Sequence, residues 1–172
     1  MADYHTPTVI EPVIPISAVL PVEGMFLAHV FDTEIDSSAV NYFSEQGAND
    51  LVFFDPEELR EALDAVDHSS SRLVTKLLED HADALCGDDE IEFDLAGDLW
   101  PQVLQDIVRR AADIDALYVT MAFTCTKMRP DGFGGLAMLI TGETIRSEST
   151  HMLFERFYKE AAAMGEISSN NP

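Results

Sequence analysis

The segment ALYVTMAFTCTKMRPDGFGGLAMLIT, residues 116–141, decides the fold of this chain. Its first part, 116–126, alternates between two faces, which is the period of a β-strand. The face that we expect to be buried carries Leu117, Val119, Met121, Phe123 and Cys125. The Pro-Asp-Gly sequence at 130–132 favours a tight turn, and the apolar run 136–141 follows it. The segment therefore predicts a β-hairpin whose first strand is the longest in the protein.

On the N-terminal side of this hairpin, helical and extended patterns alternate. Asp55 and Pro56 are typical of a helix start, and apolar residues then recur at helical spacing up to residue 66. The same spacing predicts further helices over residues 22–31, 71–86, 101–111 and 149–164. Short strands are predicted over 40–44, 51–54 and 90–95. In the last of these, EIEFDL, Ile91 and Phe93 share one face and the acids share the other.

Residues 7–21, PTVIEPVIPISAVLP, contain four prolines. Their spacing forbids a helix and favours an extended arm, on a sheet edge or against a partner subunit. Residues 165–172 are expected to form a flexible tail. The whole chain, 1–172, is then predicted to be a single α+β domain. It would contain one antiparallel or mixed sheet of about five strands, with helices packed mainly on one face.

The acidic residues are concentrated in the first hundred positions. No Lys or Arg precedes Arg60, and about −20 of the formal net charge of −22 comes from residues 1–100. A chain of this charge is repelled by nucleic acids and by anionic membrane surfaces. The sequence therefore predicts no direct contact with nucleic acid or membrane, and it favours a basic protein as partner.

The cysteine usage and the absence of targeting signals indicate a soluble cytoplasmic protein. Cys86 and Cys125 lie far apart in sequence, and we expect two free thiols in a reducing compartment. Met1–His5 lacks a basic region typical of signal peptides, and no apolar run is long enough to span a bilayer. No His or Cys residues have the spacing of a metal site. We expect neither metal nor cofactor, and the sequence assigns no catalytic residue.

Rows of carboxylates form the strongest candidate site. Acids recur every second residue along 90–94, about 6.6–6.8 Å apart, which is comparable with the charge spacing along a nucleic-acid strand. Further acids lie on the outer face of the helix that begins at Asp55. The candidate partner-binding residues are Asp88, Asp89, Glu90, Glu92, Asp94, Glu57, Glu61 and Asp64. We expect a non-enzymatic protein that binds a basic partner and, in the sharpest version, mimics DNA.

Several alternatives stay open from the sequence. Plain solvation of the surface, or adaptation to high salt, also accounts for the acidity. A rival class is a small enzyme or ligand-binding protein with a pocket near Cys125 and His151. Lys127 and Arg129 suit a modest anion site. The adjacent DGFGG is flanked by two strands and no helix follows it, so the sequence favours a hairpin turn with glycines at positive φ there. A further alternative is a dimeric scaffold in which residues 7–21 exchange between subunits.

Three stretches resemble a small family of acidic bacterial proteins associated with plasmids and other mobile elements. They are MADYHTPT (1–8), LQDIVRR (104–110) and AFTCTKMRPDGFGG (122–135). The resemblance implies an accessory, non-housekeeping role. No activity belongs to the family, so it assigns no functional residue to this chain.

Overall fold

The computed structural model describes residues 2–87, 89–94 and 99–167. Its α-helices are α1 (Pro21–Val30), α2 (Pro56–Ala65), α3 (Arg72–His81), α4 (Leu99–Arg110) and α5 (Thr150–Met164). Its strands are β1 (Tyr4–His5), β2 (Thr8–Glu11), β3 (Ile14–Pro15), β4 (Asp32–Asp36), β5 (Ala39–Ser44), β6 (Leu51–Phe54), β7 (Ile91–Asp94), β8 (Ala116–Cys125), β9 (Gly134–Thr141) and β10 (Ile145–Ser149). The predicted α+β class is confirmed.

The central hairpin forms as the sequence predicts. β8 and β9 pair antiparallel, with Leu117 opposite Ile140 and Tyr118 opposite Leu139. Leu117 and Ile140 are fully buried, whereas Tyr118 faces solvent. Cys125, which ends β8 on the same face as Leu117, is buried as well. The two-residue period of the strand therefore separates an inner from an outer face of the sheet.

The main sheet has eight strands rather than about five. Their order is β10–β9–β8–β2–β5–β3, with β1 beside β8 and β4 beside β5, and every pair is antiparallel. The predicted count missed the short strands β1, β2 and β3 within residues 4–15. It also missed β4 (DTEID) and β10 (IRSES), which are mostly polar and contain no buried residue. Apolar alternation, the signal used to find strands, is absent from both.

The proline-rich arm predicted over 7–21 is divided: β3 lies at an edge of the sheet, as expected, whereas β2 lies inside it, which corrects the expectation for residues 8–11. β2 pairs with β8 on one side and with β5 on the other. Pro7 and Pro12 flank this strand without interrupting it, so each residue of β2 keeps an N–H for the ladder. Ile10 points to the core and is buried, whereas Val9 points outward.

β6 and β7 form a separate two-stranded ribbon. The sequence predicted that both would belong to the single main sheet, and this prediction is wrong. Phe54 lies opposite Ile91 and Val52 lies opposite Phe93. All four side chains are buried in the core, which confirms the inward face predicted for Ile91 and Phe93. The ribbon is held by its apolar face against α1 rather than by a neighbouring strand, because Phe93 packs edge-on against Phe26 of α1.

Helices α1 and α4 supply the buried side chains opposite the inner face of the sheet. The fully buried residues of the two helices include Val22, Phe26 and Leu27 of α1 and Val103, Leu104 and Ile107 of α4. Their apolar spacing follows the helical period predicted from the sequence. One core therefore joins the sheet, the ribbon and these helices.

The helix predicted over 149–164 forms as α5, but none of its residues is buried. The side of the helix nearest the sheet carries Met152, which lines a groove with Tyr118 and Leu139. The same side carries Arg156, whose Nε lies 3.2 Å from Oε1 of Glu148. Phe154, Phe157 and Met164 lie away from this contact and are exposed to solvent.

Candidate functional site: an acidic face on α2 and the β6–β7 ribbon

Helix α2 presents a row of carboxylates to solvent. Oδ1 of Asp55 accepts the N–H groups of Glu57 and Glu58 at 2.9 and 3.0 Å, which confirms the predicted cap. Leu59 is buried on the inner side of the helix. Glu57, Glu61 and Asp64 are exposed on the outer side, about one turn or 5.4 Å apart along the axis.

The ribbon adds carboxylates beside this helix. Glu92 lies opposite Phe53 on the outer face of the ribbon, and Asp89 and Glu90 are exposed in the segment that leads into β7. Asp94 is placed in register with Leu51, and its side chain, like the whole of Asp88, lies outside what the structure describes. The acidic face is defined here as Glu57, Glu61, Asp64, Asp89, Glu90 and Glu92.

The fold brings these two groups of carboxylates into one region. β6 pairs with β7 and ends at Phe54, and the next residue, Asp55, caps α2. Helix α2 also contacts the short 3-10 turn Ala84–Cys86, which lies three residues before Asp89 in the chain. The predicted row on β7 and the predicted row on α2 are therefore neighbours, because β6, the pairing partner of β7, leads into α2 through the single residue Asp55.

Two of the arginines that could neutralise this region are instead bound to a buried carboxylate. Asp106 on α4 is only 2 % exposed, and Nη2 of Arg72 and Nη1 of Arg109 lie 2.8 and 3.0 Å from its Oδ1. The N–H of Arg72, at the start of α3, donates to Oδ2 of Asp106 at 2.9 Å. Arg109 also donates from Nε to the carbonyl oxygen of Gly142 at 2.7 Å. The cluster ties α3, α4 and the β9–β10 turn together.

A third arginine, Arg110, is bound to a second internal carboxylate. Glu23 on α1 is completely buried, and one of its oxygens forms a close ion pair with Nη2 of Arg110. Burial raises the pKa of Glu23, and the charge of Arg110 lowers it in part. Burial, with a contribution from the charge of Glu23, also raises the pKa of Tyr42 to about 12.

These internal ion pairs were not predicted from the sequence, although a signal for them exists. Asp106 stands between the buried residues Leu104 and Ile107, and Glu23 stands between Val22 and Phe26. An acid inside an apolar stripe of a helix requires a buried partner. The partners themselves come from elements far away in sequence, so only the folded chain identifies them.

Neutralisation of the acidic face is therefore slight. Within residues 2–87, 89–94 and 99–167, none of its six carboxylates forms an ion pair with a described cation. Lys76 on α3 is paired with Asp80 at 2.6 Å. Arg60 on α2 adds one positive charge beside the six carboxylates, and its Nε donates to the carbonyl oxygen of Pro56 at 2.9 Å. The face keeps a local excess of negative charge.

The residues of the rival site do not interact directly. Cys125 is a buried free thiol whose Sγ accepts the N–H of Lys127 at 3.5 Å. His151 is 84 % exposed at its side chain, and its Nε2 lies 3.3 Å from Oε1 of Glu155. No hydrogen bond joins Cys125 to His151 in the described part of the chain. The geometry supports no nucleophile–base pair between them.

The glycine-rich connection between β8 and β9 is a tightly packed turn. Lys127 and Arg129 are exposed there, beside the 3-10 turn Pro130–Gly132. None of its glycines has a positive φ, contrary to the expectation for this hairpin. Gly132 is required by close approach instead, because a Cβ at that position would lie 2.5 Å from Cβ of Cys125.

Three of the grooves among the described residues lie elsewhere, and neither Cys125 nor His151 lines any of these three. A groove of about 330 Å³ lies between α1 and β4–β5 and is lined mainly by apolar side chains. A second, of about 450 Å³, lies on the outer face of β8–β10. A third, of about 320 Å³, lies where α1 meets the end of β5. Within the described ranges, no three or more His, Cys, Asp or Glu side chains are placed to hold a metal ion.

The described helices also include none with the length and apolar character required to cross a bilayer. Comparison with protein-family models, curated proteins and solved structures yields no match to this chain.

Proposed function

We propose that the protein binds a basic protein through the acidic face of α2 and the β6–β7 ribbon, without catalysis. The observation that supports this is the division of charge in the fold. Arg72, Arg109 and Arg110 compensate the internal carboxylates Asp106 and Glu23. Among the residues that the structure describes, the six carboxylates of the acidic face have no such partner, so their field is available to an incoming cationic surface.

The sharpest version of the proposal is mimicry of nucleic-acid charge. Carboxylates at intervals of about 5.4 Å along α2 and about 6.8 Å along β7 offer a cationic groove regularly spaced anions. A nucleic-acid-binding protein recognises its ligand largely through such charges. The resemblance to acidic proteins of mobile elements is consistent with an accessory role of this kind, in the cytoplasm and against a regulatory or defence protein of the host.

A competition experiment tests the proposal with a defined probe. Binding to a fluorescent Lys/Arg-rich peptide is measured by anisotropy at low and at moderate salt, with and without competing double-stranded DNA. We expect binding that weakens steeply with salt and that DNA displaces. The triple variant E57K/E61K/E92K should reduce the affinity at least tenfold.

A matched control separates the acidic face from overall charge. The variant D32K/E34K/D36K changes the net charge by the same amount, on β4, whose residues are all exposed. We expect it to reduce the affinity much less than the face variant does. Equal losses for both triple variants would show that only diffuse charge attracts the probe, and the proposed site would be wrong.

A further inference from the structure

β10 is an edge strand of the main sheet, and no strand of the described chain pairs with its second side. At the β9–β10 turn, the N–H of Thr141 donates to the carbonyl oxygen of Thr144 at 2.9 Å. Hydrogen-bonded pairs alternate along an antiparallel ladder, so Arg146 and Glu148 direct their backbone groups to β9. The N–H and C=O of Ser147 therefore point to the open edge.

The side chains of β10 are self-complementary about this residue. Arg146 and Glu148 flank Ser147, are exposed, and lie on the outer face of the sheet. If two copies of β10 pair antiparallel with Ser147 at the centre, Arg146 of each copy lies opposite Glu148 of the other. Opposite charges at directly facing positions favour such a pair.

Helix α5 follows β10 directly and turns an apolar stripe to solvent. Leu153, Phe154, Phe157, Ala161 and Met164 share one side at helical spacing. Phe154 is 69 % exposed and Phe157 is 49 % exposed. A helix of 15 residues is marginal in water without tertiary packing. A covering surface for this stripe would stabilise the helix.

The exposed aromatic area of α5 supplies a substantial part of the area that a stable interface buries. Phe154, Phe157 and Tyr158 are 69, 49 and 41 % exposed. Because a side chain of this kind has a surface of roughly 150–250 Å², the three together leave about 300 Å² in water. A standard interface buries about 800 Å² per partner. The aromatic side chains of α5 thus provide more than a third of that area. The remainder would come from Met164, which is 74 % exposed, and from the paired edges of β10.

The local charge also allows a second copy to approach here. The chain as a whole has a formal net charge of −22, so most of its surface repels another copy. Residues 127–167 carry five basic and six acidic residues, however, and are nearly neutral. Arg156 and Glu160 lie beside the stripe, equally distant in sequence from Tyr158. Antiparallel α5 helices centred on Tyr158 would place Arg156 of each copy, whose Nε lies 3.2 Å from Oε1 of Glu148 in its own chain, near Glu160 of the other.

We propose that the protein forms a two-fold symmetric homodimer through the open edge of β10 and the apolar stripe of α5. The two β10 strands pair antiparallel about Ser147, which joins the sheets of both copies into one. The two α5 helices pack their stripes together across the same axis, giving an isologous interface. The inference is independent of the proposed function, because the acidic face is built from other elements.

Sedimentation equilibrium tests the dimer directly. We expect wild-type protein at micromolar concentration to show twice the chain mass of 19.0 kDa. Ser147→Pro should give the monomer mass, because it removes the N–H at the open edge and leaves the ladder with β9 intact. F154D/F157D should do the same, and circular dichroism should show both variants folded. Phe53→Asp, an equally polar change on the ribbon, should leave the dimer unchanged.

A cross-linking experiment tests the register. Residues facing each other in a hydrogen-bonded antiparallel pair have Cα atoms about 5.5 Å apart, a distance that a disulfide spans. Ser147→Cys should therefore form a covalent dimer under mild oxidation, whereas Thr33→Cys on β4 should not. A wild-type monomer would overturn the proposal. A dimer that survives both Ser147→Pro and F154D/F157D would also overturn it, because another surface, such as residues 7–21, would then form the contact.

Discussion

Arg110, at the end of α4, forms an ion pair with Glu23, a completely buried carboxylate on α1. The two residues lie 87 positions apart in the sequence. Nη2 of Arg110 also donates to the carbonyl oxygen of Ala18 at 3.2 Å. This contact fixes α1 against α4, the two helices that cover the inner face of the sheet. Several properties of the protein depend on it.

Replacing Arg110 by Ala should destabilise the protein by about 3 kcal/mol, because an uncompensated carboxylate stays buried. The effect is measured by urea unfolding at pH 7. The double variant E23Q/R110M should lose less than R110A alone, because neither side chain then requires a charged partner. An R110A variant as stable as the wild type would contradict the role of this ion pair.

The stability should depend on pH through Glu23. Its folded pKa is raised above its ordinary value of 4.5, so the folded state binds the proton more tightly than the unfolded state. The contribution of Glu23 to the free energy of unfolding therefore increases as the pH falls from the raised pKa towards 4.5, and it decreases as the pH rises through the same range. The difference in unfolding free energy between wild type and Glu23→Gln, followed by urea titration from pH 4 to 8, should show this slope. A difference independent of pH would contradict it.

Gly132→Ala should destabilise the protein by about 1–3 kcal/mol, the usual cost of an overpacked contact. The added Cβ would lie 2.5 Å from Cβ of Cys125, in a turn closed by strands on both sides. Gly142→Ala is the matched control, because its Cβ would meet Cγ of Arg109 at an ordinary 3.5 Å. Thermal unfolding of both variants provides the comparison, and equal melting temperatures would show that the turn relaxes freely.

Asp55→Ala should cost about 1 kcal/mol through loss of the helix cap, since Asp55 accepts two N–H groups of α2. Ser71 occupies the same position before α3 but makes no side-chain cap hydrogen bond. Ser71→Ala should therefore lose less stability in the same urea titration. Hydrogen exchange should show the same order: Asp55→Ala should speed the exchange of the amides in the first turn of α2 more than Ser71→Ala speeds that in the first turn of α3. A larger loss for Ser71→Ala would contradict this account of the caps.

Much of the local structure follows from short-range sequence patterns. The alternation in 116–126 predicted the inner face of β8, on which Leu117, Val119 and Cys125 are buried while Met121 and Phe123 are half-buried. Asp55 with Pro56 predicted the start of α2. The outward carboxylates of α2 and β7 were predicted in the same way. Such predictions hold because strand and helix periods depend on neighbouring residues alone.

The tertiary structure decided everything that depends on which distant segments meet. It placed residues 8–11 inside the sheet, separated β6 and β7 into a ribbon, and turned the apolar side of α5 to solvent. It also bound Arg72, Arg109 and Arg110 to Asp106 and Glu23, which leaves the acidic face without those cations. The physical reason is that strand pairing and ion pairing are contacts between residues far apart in the chain. A local pattern states which side of a segment is apolar or charged, but the packing of the whole core selects what that side touches.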